Sequence, residues 1–166
     1  MNDQKLIRLS GVSGIIAGVS VLLLGLSFIV SVFVGEVALV ASSLFLTTGK
    51  VFELFLLFGI FSLLYSDREK ISLAALILSV SGLMIDLFPP LGRVFLLTGI
   101  LLYAISSRRV KTIPGWGLWL WLGGTSLLLA ATLNDIKLLI GLGALASGTA
   151  MIVLGSGLSE TAKSIE

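Results

Sequence analysis

The apolar run LSGVSGIIAGVSVLLLGLSFIVSVFV, residues 9–34, contains no charged side chain over 26 residues. Crossing about 30 Å of hydrocarbon takes about 20 residues of α-helix, because each residue advances the helix by about 1.5 Å. Lys5 and Arg8 precede the run, as basic residues do in a secretory signal peptide, but the apolar part of such a peptide has only about 7–15 residues. The run therefore predicts a transmembrane helix that stays in the protein.

The rest of the chain has the same apolar character. Of its 166 residues, 57% are hydrophobic and 12% are charged, and the mean hydropathy is +1.14. Soluble domains are roughly half apolar and about a quarter charged. The net charge is only +2, and the cations do not form the dense basic patch that binds nucleic acid. These features predict an integral membrane protein whose first partner is the lipid bilayer, with no nucleic-acid partner.

Five polar or proline-marked breaks divide the chain into six apolar segments, so we predict an all-α, six-transmembrane-helix bundle. Alternating segments of about ten residues, which would indicate a barrel, are absent from the sequence. Residues 1–166 are expected to form a single membrane domain. The predicted spans are 9–34, 46–66, 71–88, 92–107, 115–133 and 138–157.

The distribution of lysine and arginine predicts the orientation. If the N-terminus is inside, eight cations fall on the cytoplasmic side and three on the outer side, which satisfies the positive-inside rule. We therefore expect a multi-pass protein of the cell membrane with both termini in the cytoplasm. The tryptophans and tyrosines fall near the same predicted inner boundary, where an aromatic belt is favoured. An aromatic cage for a ligand is the alternative for the tryptophans of the GWGLWLW stretch. They are Tyr65, Tyr103, Trp116, Trp119 and Trp121.

A short pattern of glycine, cation, valine and phenylalanine occurs twice, at residues 49–52 and 92–95. Each copy opens an even-numbered predicted helix, and Lys137 holds the equivalent place at the sixth. The spacing suggests three parallel helical hairpins, since a two-span unit returns to the side on which it started. Chance matching in so apolar a sequence is the alternative. Residues 37–49 are an insertion in the first hairpin, and they either lie along the interface or extend helix two outward.

Four charged residues form a candidate outer polar cluster. Lys50 and Glu53 lie one turn apart in predicted helix two, with Glu53 about 9 Å inside the boundary at 1.5 Å per residue. Asp86 and Arg93 flank the predicted turn at Pro89-Pro90. One interpretation is a rim of interfacial ion pairs and turn residues. The other is a polar vestibule with Glu53 at its floor, since acids inside membranes are often functional.

The residue types present exclude several kinds of chemistry. The chain has neither cysteine nor histidine, so disulfides, thiol nucleophiles, imidazole bases and nearly all zinc sites are ruled out. No nucleophile-elbow, Walker or zinc-protease motif occurs. We therefore predict no catalytic, metal or cofactor site and a protein that is not an enzyme. Small hydroxyls, without carboxylates, occupy the predicted midplane, which disfavours a proton- or sodium-coupled carrier.

Small residues on the first and last helices predict close helix packing. Gly14 and Gly18 form a GxxxG pair, and Gly148 lies on a small-residue stripe of the last helix. Their partners could lie within the chain, in another subunit of a homo-oligomer or in a different membrane protein. The leading hypothesis for function is an accessory, assembly or scaffolding component of a membrane complex. The alternative is a small channel or facilitator for a cation or a small polar solute, with an outward-facing polar vestibule.

Overall fold

A computed structural model of the protein describes residues 3–34, 42–65, 69–85, 89–108 and 113–164. Throughout these ranges the regular structure is helical, with no strand, so the predicted all-α bundle is confirmed. Every helix except α3 is long and apolar enough to cross a membrane. The α3 helix has 16 residues, about 24 Å at 1.5 Å per residue. The helices are α1 (Asp3–Val34), α2 (Ser42–Leu64), α3 (Glu69–Met84), α4 (Pro89–Ser107), α5 (Gly115–Leu133) and α6 (Lys137–Ser164).

The helix bounds follow the predicted spans, and the differences lie at the ends. The α1 helix begins at Asp3 rather than residue 9, and α6 continues to Ser164 rather than 157. Hydropathy marks the hydrocarbon boundary, whereas a helix can continue into the polar interface beyond it. The α4 helix begins at Pro89, because proline lacks only an N–H that the first helical position does not use. Residues 42–49 of the insertion extend α2, whereas residues 37–41 lie outside the described residues.

The six helices form a closed ring in sequence order. Each helix packs against the next one along the chain, and α6 packs against α1. The α1–α6 contact is close because glycines face each other across it. A Cβ atom on Gly18 would lie 2.5 Å from the carbonyl oxygen of Gly148, and one on Gly14 would lie 2.9 Å from the Cα atom of Gly155. These glycines therefore pack against helices of the same chain.

Serine side chains face glycines at four further close contacts between helices. In each case a Cβ atom on the glycine would overlap the serine side chain, and the serine hydroxyl is buried without a hydrogen-bond partner. Small residues of this kind let helix backbones approach closely. The pairs are Ser10 with Gly59, Ser79 with Gly99, Ser147 with Gly124 and Ser159 with Gly11.

Equivalent positions of the proposed repeat have equivalent environments. The residue that follows each cation is exposed: Val51 and Val94 are both 48% exposed and Leu138 is 44% exposed. The residue three places after each cation lines one common cavity inside the ring. These three residues are Glu53, Leu96 and Ile140.

A layer of buried side chains fills the opposite end of the ring, where α1, α3 and α5 begin. Leu57, Ile60, Ile100, Tyr103 and Leu154 are fully buried there. The Tyr103 hydroxyl donates a hydrogen bond of 3.4 Å to the carbonyl oxygen of Leu57, which links α4 to α2. We call this end of the ring the closed end.

The rings of the predicted aromatic belt divide into exposed and buried ones. Trp116 and Trp119 are exposed, and the guanidinium of Arg108 lies 5.7 Å from the ring centre of Trp119. Trp121 and Tyr103 are instead fully buried inside the ring. Trp121 lies five residues beyond Trp116 on α5, and helical geometry turns its side chain to another face.

Candidate functional site

A cavity of about 450 Å³ lies inside the ring, toward the end where α2, α4 and α6 begin. We call it the ring cavity. It extends from the exposed residues Ser43 and Leu46 to the buried residues Glu53, Trp121 and Met151. All six helices contribute to its lining, among others through Leu24, Glu53, Leu83, Arg93, Trp121 and Ser147.

Glu53 is the buried carboxyl group of this cavity. Its side chain is 5% exposed, and Oε1 has no hydrogen-bond partner. Because α2 begins at Ser42, Glu53 lies about 16 Å from the helix start at 1.5 Å per residue. Lys50 lies one helical turn closer to the start of α2 and lines the same cavity.

Arg93 connects α4 to the end of α5. Its Nη1 atom donates hydrogen bonds to the carbonyl oxygen of Leu128 and to Oγ1 of Thr132. Both contacts are short, and both use the same terminal nitrogen of the guanidinium. Arg93, Leu128 and Thr132 all line the ring cavity. Arg93 precedes Leu96 by three residues on α4. Its positive charge is therefore held in the part of the cavity wall that is nearer the start of the helix.

Trp121 is a functional candidate that the sequence alone favoured as part of the aromatic belt. Its side chain is fully buried, it lines the cavity, and its indole Nε1–H has no hydrogen-bond partner. The spacing of the three tryptophans indicates that Trp121 faces a different side of the helix. At about 100° per residue, Trp119 points about 60° away from Trp116, whereas Trp121 points about 140° away from it. Two rings of the GWGLWLW stretch can therefore face lipid together, while the third faces the interior.

The ring cavity thus brings together three of the four residues of the predicted polar cluster. Lys50, Glu53 and Arg93 line it, whereas Asp86 lies outside the described residues. The indole of Trp121 and the hydroxyls of Thr125 and Ser147 add further polar groups. Most of the wall is nonetheless hydrocarbon, from residues such as Leu24, Phe28, Leu83, Leu128, Ile140 and Met151.

The chemistry that these groups offer is recognition of a ligand by charge and hydrogen bonding. Lys50, Arg93 and the Trp121 indole can only donate hydrogen bonds, whereas the Glu53 carboxylate can only accept them. Within the ranges that the structure describes, histidine, cysteine, aspartate and glutamate form no group of three that could hold a metal ion. Comparison of the chain with protein families, curated proteins and solved structures gives no match. A functional assignment therefore depends on the ring cavity itself.

Proposed function

We propose that this protein binds a small organic solute in the ring cavity and acts as a membrane facilitator for it. The observation that carries the proposal is a cavity of about 450 Å³ in which Oε1 of Glu53 and the indole N–H of Trp121 are buried without a hydrogen-bond partner among the described residues. Burying a polar group without a hydrogen bond costs about 1–3 kcal/mol in proteins. A ligand that bonds to these groups would remove this cost.

The internal repeat argues that Glu53 is not required for folding. Its equivalents in the other two hairpins are Leu96 and Ile140, which line the same cavity. Helix packing at this position is therefore compatible with an aliphatic side chain. A buried carboxyl at one of three equivalent positions is best explained by binding.

The buried layer at the closed end favours a carrier-like facilitator over an open pore. Leu57, Ile60, Ile100 and Tyr103 are fully buried below the cavity, so passage requires the helices to move apart there. In the orientation that the positive-inside rule predicts, the cavity opens outward and both termini lie in the cytoplasm of a cell membrane. The described cations support this orientation. Lys5, Arg8, Lys70, Arg108 and Lys163 lie at the closed end, and Lys50, Arg93 and Lys137 lie at the cavity end.

Single-cysteine labelling tests this proposal directly, because the chain has no native cysteine. Thr125→Cys places a thiol in the cavity wall, and Ala104→Cys places one in the buried layer of the closed end. A charged, membrane-impermeant thiol reagent added outside cells should modify position 125 and leave position 104 unmodified.

The proposal fails if position 125 does not react from outside while an exposed control, Leu133→Cys at the cavity end, does react. Solute flux into liposomes that contain the purified protein then tests facilitation. Occupation of the cavity without any flux would leave a binding protein and overturn transport.

An accessory role in a membrane complex is the second candidate. It is supported by the short connections between the helices, of which the longest spans seven residues, 35–41 or 108–114. The chain therefore has no extramembrane domain between its helices. The glycines of α1 and α6 could have contacted a partner protein, but they pack within the chain. The accessory role is therefore less well supported than the facilitator. Recovery of a stoichiometric membrane-protein partner or a homo-oligomer from mild detergent would favour it, and a monodisperse monomer would count against it.

A further inference from the structure

We propose that the solute of the ring cavity is an amino-acid-like zwitterion with an apolar side chain, bound with its carboxylate toward Arg93 and its ammonium toward Glu53. This inference rests on the proposed function and specifies its substrate class. It is carried by the order of the charged groups along the cavity and by the hydrocarbon of its walls.

The charges of the cavity lie in two layers. Among the described residues, both cations lie on the mouth side of Glu53: Arg93 is four residues inside the start of α4, and Lys50 is three residues before Glu53 on α2, about 4.5 Å along the helix axis. A ligand that enters from the open end meets the cations first and the carboxylate second. An α-amino acid carries its acid and its amine on one carbon atom, and hydrogen bonds of about 2.8 Å at each end let it reach both layers.

The outer layer suits a carboxylate. Among the described residues, Leu128 and Thr132 hold the Arg93 guanidinium through Nη1. This fixes its plane against α5, and a guanidinium has five N–H donors in a fork that matches a carboxylate. Lys50 also lines the cavity and adds a second positive charge on the mouth side of Glu53.

The inner layer suits a group that donates hydrogen bonds. Glu53 Oε1 is buried without a partner, and an ammonium supplies both the opposite charge and three donors. Trp121 lies at a similar depth, 12 residues from the end of α5 at Leu133, about 18 Å at 1.5 Å per residue. Its indole N–H can donate to the second oxygen of the ligand carboxylate or to a carbonyl.

Simpler ligands leave part of the cavity unsatisfied. A metal cation would meet Glu53 but would have to pass Lys50 and Arg93, and it cannot accept a hydrogen bond from Trp121. An inorganic anion would suit Arg93 but would be repelled by Glu53. Neither would cover the hydrocarbon of Leu24, Phe28 and Leu128. A zwitterion with an apolar side chain complements all three kinds of surface.

Two sets of related probes test the inference. The first is leucine, 4-methylpentanoate, which lacks the ammonium, and 3-methylbutylamine, which lacks the carboxylate. The second is phenylalanine, 3-phenylpropanoate and 2-phenylethylamine. Binding is followed by Trp121 fluorescence in the variant Trp116→Phe/Trp119→Phe in nanodiscs, with probes up to about 10 mM. We expect leucine or phenylalanine to bind at least about tenfold more tightly than either of its truncated forms.

Variants then assign the two ends of the ligand. Glu53→Leu should remove the preference for the amino acid over its acid analogue and preserve the preference over the amine. Arg93→Gln or, if that variant does not fold, Lys50→Gln should weaken the preference over the amine. The inference is overturned if neither amino acid binds, or if an acid or amine analogue binds equally well. Labelling at position 125 distinguishes failure of the substrate class from failure of the proposed function. If position 125 reacts but no amino acid binds, the substrate class is wrong and the proposed function stands.

Discussion

Glu53 on α2 and Trp121 on α5 line one cavity from opposite positions in the ring, and the buried polar atom of each lacks a hydrogen-bond partner. Trp121 provides an N–H donor and Glu53 provides a carboxyl group, and no hydrogen bond joins these two side chains. Burying polar groups without hydrogen bonds costs free energy on folding. Their coexistence in one cavity is the feature on which the functional proposal depends.

Replacing Glu53 by leucine should stabilise the protein. Leu96 and Ile140, at the corresponding positions of the proposed repeat, line the same cavity, so we expect an aliphatic side chain to fit at position 53. The change removes a buried carboxyl whose Oε1 has no hydrogen-bond partner among the described residues. We expect a gain of about 1–3 kcal/mol in the free energy of unfolding, measured by thermal unfolding in detergent. Leu56→Ala, at a fully buried position one turn deeper, is the control and should destabilise. A loss of stability in Glu53→Leu would mean that the carboxyl is structural.

Adding a methyl group at Gly18 should weaken the contact between α1 and α6. The new Cβ atom would lie 2.5 Å from the carbonyl oxygen of Gly148, so the helices must separate, at a cost of about 1–3 kcal/mol. Gly123→Ala is the matched control, because no atom lies within 4 Å of its Cβ position and alanine favours helix by about 1 kcal/mol. Unfolding in detergent should show that the Gly18→Ala variant is less stable than the parent protein and that Gly123→Ala is more stable. Equal stability of the two would contradict the contact.

The three tryptophans should differ in their contact with lipid. Trp116 is 60% exposed on the outer surface of the ring, whereas Trp121 is fully buried in the cavity wall. Brominated lipid should therefore quench the variant that keeps Trp116 alone much more than the variant that keeps Trp121 alone. Comparable quenching of both would place Trp121 on the lipid-facing surface and remove it from the cavity.

Loss of the Arg93 guanidinium should loosen α4 from the end of α5. Arg93→Gln removes a charged donor from the Leu128 carbonyl and the Thr132 hydroxyl, and hydrogen bonds to charged groups are worth about 1.5–3 kcal/mol. We expect faster hydrogen exchange of backbone amides at the end of α5. Thr132→Val removes one acceptor only and should have a smaller effect. Unchanged exchange in Arg93→Gln would show that this contact does not hold the helices together.

The connection between α2 and α3 contains a hydrogen bond that responds to pH. The hydroxyl of Tyr65 donates to Oε1 of Glu69 at 2.6 Å, and this bond raises the pKa of the Tyr65 phenol above its ordinary value. The bond is therefore kept below the raised pKa and lost as pH rises through it. Alkaline titration of phenolate absorbance in Tyr103→Phe, which retains Tyr65, should show this shift. Adding Glu69→Ala should lower the pKa, and an unchanged value would contradict the assignment.

Hydropathy was sufficient to predict the helices, because the length of each apolar run directly reflects the thickness of the bilayer. The predicted span 115–133 coincides with α5. The site was predicted less completely. Lys50, Glu53 and Arg93 could be selected because charges stand out in an apolar sequence, but Trp121 resembles an interfacial ring until its direction on the helix is considered. The assembly of six helices around one cavity depends on contacts between distant segments, which a local pattern does not contain.

The closure of the ring brings the start of α1 beside the end of α6. The side-chain amide of Gln4 donates a hydrogen bond of 3.2 Å to the carbonyl oxygen of Ala162, and α6 packs along α1. A short peptide could therefore join the start of α1 to the end of α6. The chain could then be opened at the three-residue connection between α5 and α6 without removing a helix neighbour. The fold should thus tolerate circular permutation, with a reordered gene that encodes the same ring.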